Sequence, residues 1–126
     1  FLLNDSWQVA IGLSTLIGHI WPVWLNWRGG KAVATGLGIF LGLSWQVGLA
    51  TLGIFILIIT FFKIVSLASV IAALALPLIM FVSFESSSTS IPYLILALSA
   101  MTLVIWRHRE NIIRLIKGKE PKIGQQ

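Results

Sequence analysis

The architecture of this chain depends on two neighbouring runs, Gly18-His19-Ile20-Trp21-Pro22 and Trp27-Arg28-Gly29-Gly30-Lys31-Ala32-Val33-Ala34-Thr35. They predict the end of one membrane helix, a glycine turn and the start of a second helix. Pro22 has no backbone NH to donate to the carbonyl of Gly18, so the first helix is loosened one turn before its end. The imidazole of His19 lies at that weakened turn.

Two adjacent glycines and a lysine in the second run predict a small anion-binding site. Gly29 and Gly30 carry no Cβ, which lets a ligand lie directly against backbone NH groups. These NH groups, the dipole of the helix that starts near Lys31 and the lysine ammonium all favour a phosphate. A plain helix-helix turn with one anchoring charge is the alternative interpretation. The Walker pattern is absent, because Leu25 replaces its first glycine and no Ser or Thr follows Lys31, so a nucleotide loop is not indicated.

The composition is that of an integral membrane protein. Of the 126 residues, 57% are hydrophobic and only 10% are charged, and the mean hydropathy is +0.95, far above that of soluble domains. The chain contains no cysteine and only two histidines and four acidic residues, which argues against a thiolate nucleophile and against a metal site. The net charge of +5 is concentrated at predicted helix ends, as topology signals are, and this argues against nucleic-acid binding.

Apolar segments predict an all-α, polytopic membrane bundle of about five transmembrane helices. The expected helices cover residues 7–24, 33–43, 46–62, 64–84 and 91–106, and Ser6 is expected to cap the first. The second helix is short, and we leave open whether it starts as early as Gly30 and whether it crosses the membrane or is re-entrant. Small residues at Gly36, Gly38 and Gly42 predict close packing of this helix inside the bundle.

The distribution of charge predicts one orientation in the membrane. Positive residues, namely Arg28, Lys31, Lys63 and those of the tail over 107–126, fall on one side, and Asp5, Gln46 and Glu85 fall on the other. Because positively charged loops stay in the cytoplasm, the amino end is expected outside and the tail inside. Residues 1–126 are thus expected to form a single integral membrane domain that ends in a cytoplasmic, amphipathic, basic tail.

Two further polar clusters reach the cytoplasmic face in this topology. Ser66 and Ser69 share a helix face, although serines in membrane helices also bond back to a carbonyl of their own helix. In the tail, a helix at about 100° per residue puts five polar side chains on one arc of about 160°, opposite isoleucines; they are Arg107, His108, Glu110, Asn111 and Arg114. An amphipathic helix resting on anionic lipid is the alternative for the tail. We expect these clusters and the Lys31 turn to converge on one pocket for two anionic head groups.

Four motifs follow one another over nearly the whole chain, from about residue 7 to 120. They are Gly18-His19-x-x-Pro22, Gly29-Gly30-Lys31-x-Val33-Ala34-Thr35, Val65-Ser66-Leu67-Ala68-Ser69, and Arg107-His108-Arg109-Glu110-Asn111 followed by Arg114-Leu115 and Gly118-x-Glu120. Together they closely resemble the acyl-phosphate-dependent glycerol-3-phosphate acyltransferases of bacteria, the PlsY family. The resemblance implies a multi-pass enzyme of the bacterial inner membrane, with its active site facing the cytoplasm. Its reaction would move a fatty acyl group from acyl phosphate to glycerol 3-phosphate, releasing phosphate and lysophosphatidic acid, in the first step of phospholipid biosynthesis. It implies membrane lipid as surroundings, and no acyl-CoA, ATP, metal or other cofactor.

The chain departs from the family pattern in two ways. Arg28 and Ala32 stand where the family more often has Lys and Gly. Arg28 keeps the positive charge, whereas Ala32 slightly narrows the turn expected to bind phosphate. The family also has further helices ahead of this region and a motif rich in glycine, serine and asparagine. No residues before Gly18 match that motif. We therefore expect this chain to be the carboxy-terminal portion of a longer acyltransferase that lacks about two helices, the number that preserves the predicted orientation. By itself it is expected to bind poorly or to be inactive.

The residues and the resemblance together give candidate roles. Substrate binding is assigned to Arg28, Gly29, Gly30, Lys31, Ser66, Ser69, Arg107 and Glu110, and catalysis to His19, His108 and Asn111. The serines are interpreted as binders, because phosphate is already a good leaving group and no covalent intermediate is needed. The general base is left open between His19, His108 and a phosphate oxygen of the substrate, and a neutral His19 that only bonds a neighbouring helix is equally open. The acyl tail is expected along the gaps left by the three glycines of the second helix.

Two other function classes remain as alternatives, a small membrane transporter and a scaffold subunit with a cytoplasmic anion-binding site. A transporter would place charge near the bilayer midplane and often shows an internal repeat, and neither is visible in the sequence. A scaffold would not need histidine, asparagine and arginine on one face of a helix.

Overall fold

The computed structural model describes residues 4–21, 31–85 and 91–124, and every regular element in these ranges is an α-helix. In chain order the helices are α1 Asp5–Ile20, α2 Val33–Leu43, α3 Trp45–Phe62, α4 Val65–Glu85, α5 Ile91–Arg107 and α6 Arg109–Ile116. The expected all-α class is confirmed. The bounds of α2 to α5 lie within one residue of those expected from the apolar runs.

The first helix differs from the expectation at both ends. Its cap is Asn4, whose Oδ1 accepts a hydrogen bond from the backbone N of Trp7 at 3.1 Å, so the expected cap Ser6 lies inside the helix. The helix ends at Ile20, a turn earlier than residue 24, and Trp21 has φ −124° and ψ 67°. Trp21 precedes a proline in the sequence, and a residue in that position is driven out of the helical region.

The spans can be judged by length and composition. Within the described ranges, Trp45–Phe62 and Val65–Ser83 are long and apolar enough to cross a membrane, and α5 with α6 would be a third span if the bent pair were one unit. The α2 helix has 11 residues, about 16 Å at 1.5 Å per residue, which is half of a bilayer's hydrocarbon thickness. The expectation of five crossings therefore stays a prediction.

The helices pack as a bundle, and α1 to α5 all contribute buried side chains to its core. The α3 helix lies against α2 and α4, while α5 lies against α1 and α4. The largest fully buried side chains are Phe40, Leu16, Ile20, Met80, Leu96 and Val47. The outer surface is also apolar, since Phe61, Leu78 and Val82 are 76%, 68% and 71% exposed, as expected of helices that face lipid.

The expected close packing of α2 is observed against α3, and of its three glycines only Gly36 lies on the buried side. A Cβ on Gly48 of α3 would lie 2.8 Å from the backbone N of Leu41, so α2 and α3 approach each other there with no room for a side chain. Gly38 and Gly42 are exposed and have no neighbour within 4 Å in the described part of the chain, so they do not contribute to this packing. The buried stripe of α2 runs through Ala32, Gly36 and Phe40, and at 100° per residue this leaves Gly38 on the opposite face.

The end of the chain folds back on the bundle. The α6 helix is bent by 63° from α5, and His108 between them has φ −97° and ψ 10°. After α6, the backbone N of Ile123 donates to the carbonyl of Lys63 at 2.7 Å. The predicted amphipathic tail is thus one short helix followed by a segment that returns to the start of α4.

Candidate functional site

A polar cluster at one end of the bundle is centred on Glu120. Ser66 Oγ and Asn111 Nδ2 donate to Glu120 Oε1 at 2.9 Å and 2.7 Å. Arg114 Nε donates to Oε2 at 2.6 Å, and the Glu120 side chain is only 7% exposed. The carboxylate therefore ties the start of α4 to α6 and to the returning tail.

The ionisation of Glu120 follows from these contacts. Burial alone would raise its pKa, because a charged carboxylate loses hydration. The hydrogen bonds from Asn111, Arg114 and Ser66, together with the charge of Arg114, outweigh burial, and the pKa of Glu120 lies below its ordinary value of 4.5. The group is thus a carboxylate at neutral pH.

A glycine turn brings Glu120 to this position. Gly118 has φ +69°, its N donates to the carbonyl of Leu115 at 3.1 Å, and Lys119 N donates to the carbonyl of Arg114 at 2.8 Å. This pair of bonds is the Schellman motif that ends many helices, and it reverses the chain after α6. The motif Gly118-x-Glu120 therefore has a geometric basis, since only glycine adopts this φ without strain.

Lys31 meets this cluster through Asn111. Its ammonium donates to Asn111 Oδ1, while the amide nitrogen of the same side chain donates to Glu120. Asn111 is 8% exposed, whereas Lys31 is exposed. An ammonium carries three N–H donors. Within the described chain one of them bonds to Asn111, which leaves two that can bind a ligand.

The backbone of Ala32, which follows Lys31 and caps α2, is strained. Ala32 caps α2 with φ +64° and ψ 10°, the left-handed conformation, and is 1% exposed. A residue with a Cβ costs about 1 kcal/mol or more in that conformation, and glycine does not. This gives a physical reason for glycine at this position of the motif, from which the chain departs.

His108 lies at the bend between α5 and α6 and is 3% exposed. Its Nδ1 is 2.8 Å from the carbonyl oxygen of Val104, and because a carbonyl can only accept, Nδ1 carries the proton. Burial lowers the pKa of His108 and the charges of Lys31 and Arg107 act in the same direction, against the Val104 hydrogen bond and the charge of Glu120. The neutral ring is therefore favoured, and its Nε2 holds the lone pair that can take a proton.

The two serines of the predicted pair have different partners. Both are buried, with exposures of 6% for Ser66 and 3% for Ser69. Ser66 donates to Glu120, as described above, whereas Ser69 Oγ donates to the carbonyl of Val65 at 2.9 Å, one turn back in its own helix. Ser69 thus shows the back-bonding that was the alternative for both, and Ser66 serves the frame around Glu120.

An apolar cavity of about 420 Å³ adjoins the cluster. Lys31, Thr51, Ser69 and His108 are its polar lining residues, and the remaining wall comes from small and apolar side chains of α2 to α5, such as Gly36, Phe40, Ala72, Leu76 and Ala100. Of the three glycines expected along the acyl tail, only Gly36 lines it. A cation and a neutral imidazole beside an apolar cavity suit an amphiphile with an anionic head group.

Several predicted site residues lie elsewhere. Glu110 is exposed and His19 is exposed, and neither lines the cavity. The guanidinium carbon of Arg107 lies 5.8 Å from the ring centroid of Trp106. The bend at His108 explains the positions of Glu110 and Arg107, because the predicted arc assumed one continuous helix from 107 to 114. Arg28, Gly29 and Gly30 fall outside the described residues.

The fold and this cluster define a class, an α-helical membrane protein with a cationic, hydrogen-bonded site beside an apolar cavity. The family described as glycerol-3-phosphate acyltransferase matches residues 1–118. The chain belongs to this family, and the resemblance seen in its motifs is confirmed at that level.

Relatives and solved structures agree with this assignment. The chain is 82% identical over 124 residues to a glycerol-3-phosphate acyltransferase of Prochlorococcus marinus (strain NATL1A), covering 98% of this chain and 63% of the relative. It is 60% identical over 126 residues to that of Parasynechococcus marenigrum (strain WH8102), covering 100% of this chain and 58% of the relative. A crystal structure of PlsY (YgiH), an integral membrane glycerol 3-phosphate acyltransferase, in its glycerol 3-phosphate form, matches with a TM-score of 0.85 at 36% identity, covering 90% of this chain and 55% of that one. The lysophosphatidic acid form of the same protein matches equally well. The chain thus spans about three fifths of the length of the curated relatives that it matches, 63% for the first of them.

Proposed function

We propose that this chain is part of an enzyme that transfers a fatty acyl group from acyl phosphate to glycerol 3-phosphate and so makes lysophosphatidic acid, the first step of phospholipid biosynthesis. The observation that carries the proposal is the position of Lys31 and His108 at the same apolar cavity, with the lysine fixed by Asn111. Both proposed substrates carry phosphate, and one also carries an apolar tail. The glycerol 3-phosphate and lysophosphatidic acid forms of PlsY support the same pair of substrate and product.

In the proposed reaction the acyl tail occupies the cavity and its phosphate lies at Lys31. The backbone of Gly29 and Gly30 and the charge of Arg28 would complete this phosphate site. A hydroxyl of glycerol 3-phosphate attacks the acyl carbonyl carbon, a carbon–oxygen bond to the glycerol forms, and the bond to phosphate breaks. The lysine ammonium stabilises the negative charge that develops on the departing phosphate.

The proton of the attacking hydroxyl needs an acceptor. Nε2 of His108 is the better supported candidate of the two histidines, since His108 lines the cavity and its pKa is lowered by burial, which keeps the ring neutral. A phosphate oxygen of the substrate remains the other acceptor. Asn111 acts by holding Lys31, and Ser69 faces the same cavity, while Ser66 acts by holding Glu120. Arg107 and Glu110 would contribute only charge at the edge of the site.

We also propose that the protein lies in the bacterial inner membrane, as one membrane domain and the carboxy-terminal portion of a longer acyltransferase, with this site facing the cytoplasm. The positive residues support the orientation, because Lys31, Lys63 and the tail gather at the end of the bundle that holds the cluster. Since the chain covers 63% of its first relative, activity belongs to the full-length parent.

The test uses membranes that contain the full-length parent. They are given acyl phosphate and radiolabelled glycerol 3-phosphate, and labelled lysophosphatidic acid is measured against membranes from the same host without the protein. Acyl-CoA in place of acyl phosphate should give no product. Label that enters sealed vesicles without being acylated would instead indicate the transporter alternative, and neither product nor uptake would leave the scaffold alternative.

A further inference from the structure

The short α6 helix has one face in the site and another that nothing in the described chain covers. On the first face, Asn111 is 8% exposed and Arg114 bonds to Glu120. On the opposite side, Ile113 is 51% exposed and Ile116 is 82% exposed. We call the surface formed by Ile113 and Ile116 the isoleucine face. Two large β-branched side chains on one exposed helix face point to an apolar partner.

The angle of α6 brings this face close to the plane of the membrane. The helix is bent by 63° from α5, so that it lies within about 30° of the membrane plane if α5 crosses near the bilayer normal. Only His108 separates α6 from the end of α5. This places α6 at the boundary between the hydrocarbon region and the head groups. A helix in this position can lay an apolar face into the lipid.

Cationic residues flank the isoleucine face on both sides in the sequence. The guanidinium carbon of Arg109 lies 4.8 Å from the ring centroid of Trp106, and Trp106 is itself 43% exposed, as aromatic residues at the membrane interface often are. Lys117 and Lys119 follow directly after the helix and are exposed. Glu110 is the one acidic residue of α6. This excess of positive charge complements a leaflet that contains anionic phospholipid.

We propose that the isoleucine face of α6 is inserted into the cytoplasmic leaflet at a surface of anionic phospholipid. The isoleucines lie at the boundary of the acyl chains, and Lys117 and Lys119 lie at the phosphates of the head groups. Because Asn111 and Arg114 project from the other side of the same helix, lipid contact holds the residues that position Lys31 and Glu120. The proposal concerns the location of α6 and does not depend on acyl transfer.

Its test uses the absence of cysteine from these 126 residues. Ile116→Cys and, as a control in the segment that follows the helix, Lys119→Cys are introduced separately into a cysteine-free full-length parent and labelled with an environment-sensitive fluorophore. The proteins are placed in nanodiscs of phosphatidylglycerol and phosphatidylcholine that carry bromine on the acyl chains. We expect at least about twofold stronger quenching at position 116 than at position 119. Ile113→Cys gives an independent second reading of the same face.

Charge is tested in the same system. Replacing phosphatidylglycerol by phosphatidylcholine, or combining Ile116→Cys with Lys117→Gln and Lys119→Gln, should reduce quenching at position 116. Equal quenching at 116 and 119 would overturn the proposal. The proposal would also be overturned if labels at positions 116 and 113 were shielded from both bromine and water. Other helices of the full-length chain would then cover the isoleucine face. Quenching of one labelled protein by a second copy would show instead that the face joins two molecules.

Discussion

Lys31 and Asn111 are separated by 80 positions in the chain, yet the lysine ammonium donates directly to the side-chain carbonyl of the asparagine. The other end of the same amide donates to Glu120 at 2.7 Å. The exposed cation proposed to meet substrate is thereby tied to a buried carboxylate. Asn111 is thus the link between a candidate binding group and the frame that holds α4, α6 and the tail together.

Replacing Lys31 by Met should lower the activity of the full-length parent through both kinetic constants. The variant keeps the length of the side chain and removes the charge, so it should raise the KM for acyl phosphate and lower kcat. A charge-assisted hydrogen bond is worth about 1.5–3 kcal/mol, which corresponds to about 10- to 100-fold in kcat/KM. Lys63→Met is the control, because Lys63 is exposed, does not line the cavity and has its backbone N and carbonyl bonded to Ile59 and Ile123. Unchanged kinetics for Lys31→Met would remove Lys31 from the site.

Replacing Glu120 by Gln should destabilise the protein. The variant keeps the shape but loses the charge that Ser66, Asn111 and Arg114 surround. We expect a loss of about 1–3 kcal/mol in the free energy of unfolding. A larger loss is not expected, because the Arg114 side chain is 43% exposed and water screens that part of the attraction.

The matched control for this substitution is Glu110→Gln, the same chemical change on the same helix. Glu110 is exposed, and surface changes of this kind stay within about 0.5 kcal/mol. Both variants are compared by thermal unfolding of the full-length parent in detergent. Equal melting temperatures would mean that the Glu120 cluster does not hold the fold.

Glycine substitutions should distinguish a glycine at the contact between α2 and α3 from a glycine on the exposed face of α2. Gly48→Ala would put a Cβ 2.8 Å from the backbone N of Leu41 and 2.9 Å from its Cα, and backbone atoms cannot rotate away, so we expect a loss of about 1–3 kcal/mol or more. Gly38→Ala meets nothing within 4 Å in the described chain and should be neutral or stabilising by up to about 1 kcal/mol. The two melting temperatures measure this difference, and a stable Gly48→Ala protein would contradict the observed approach of the helices.

The sequence predicted the helices better than the contacts between them. Apolar runs predicted the bounds of α2 to α5 to within one residue, because the length of a hydrophobic segment is a local property. Three glycines predicted that α2 packs closely but did not show which face does so, since the packed face of α2 depends on its neighbours. Local rules cannot identify that face when the whole helix is apolar.

The candidate site was also predicted only in part, because short motifs do not show which distant residues meet. Lys31, Ser69 and His108 do line one cavity, and their motifs are each short and local. Glu120 was quoted within a motif but not assigned a role, since its partners Ser66, Asn111 and Arg114 come from other parts of the fold. The signal for it was Gly118, whose positive φ turns the chain back. Glu110 and Arg107 were assigned from an ideal helix that the bend at His108 interrupts.

Acidification should destabilise the protein in two steps. Burial lowers the pKa of His108 below 6.5, and the hydrogen bonds to Glu120, which outweigh its burial, lower that pKa below 4.5. In both cases the folded state binds fewer protons than the unfolded state, so stability rises with pH across these ranges.

The contribution of His108 is complete above 6.5 and is lost as the pH falls through that value towards the folded pKa. That of Glu120 is complete above 4.5 and is lost further into acid. Melting temperatures of the full-length parent from about pH 2 to 8 measure this. The upper step should vanish in His108→Gln and the lower step in Glu120→Gln, whereas a melting temperature that rises on acidification would contradict both assignments.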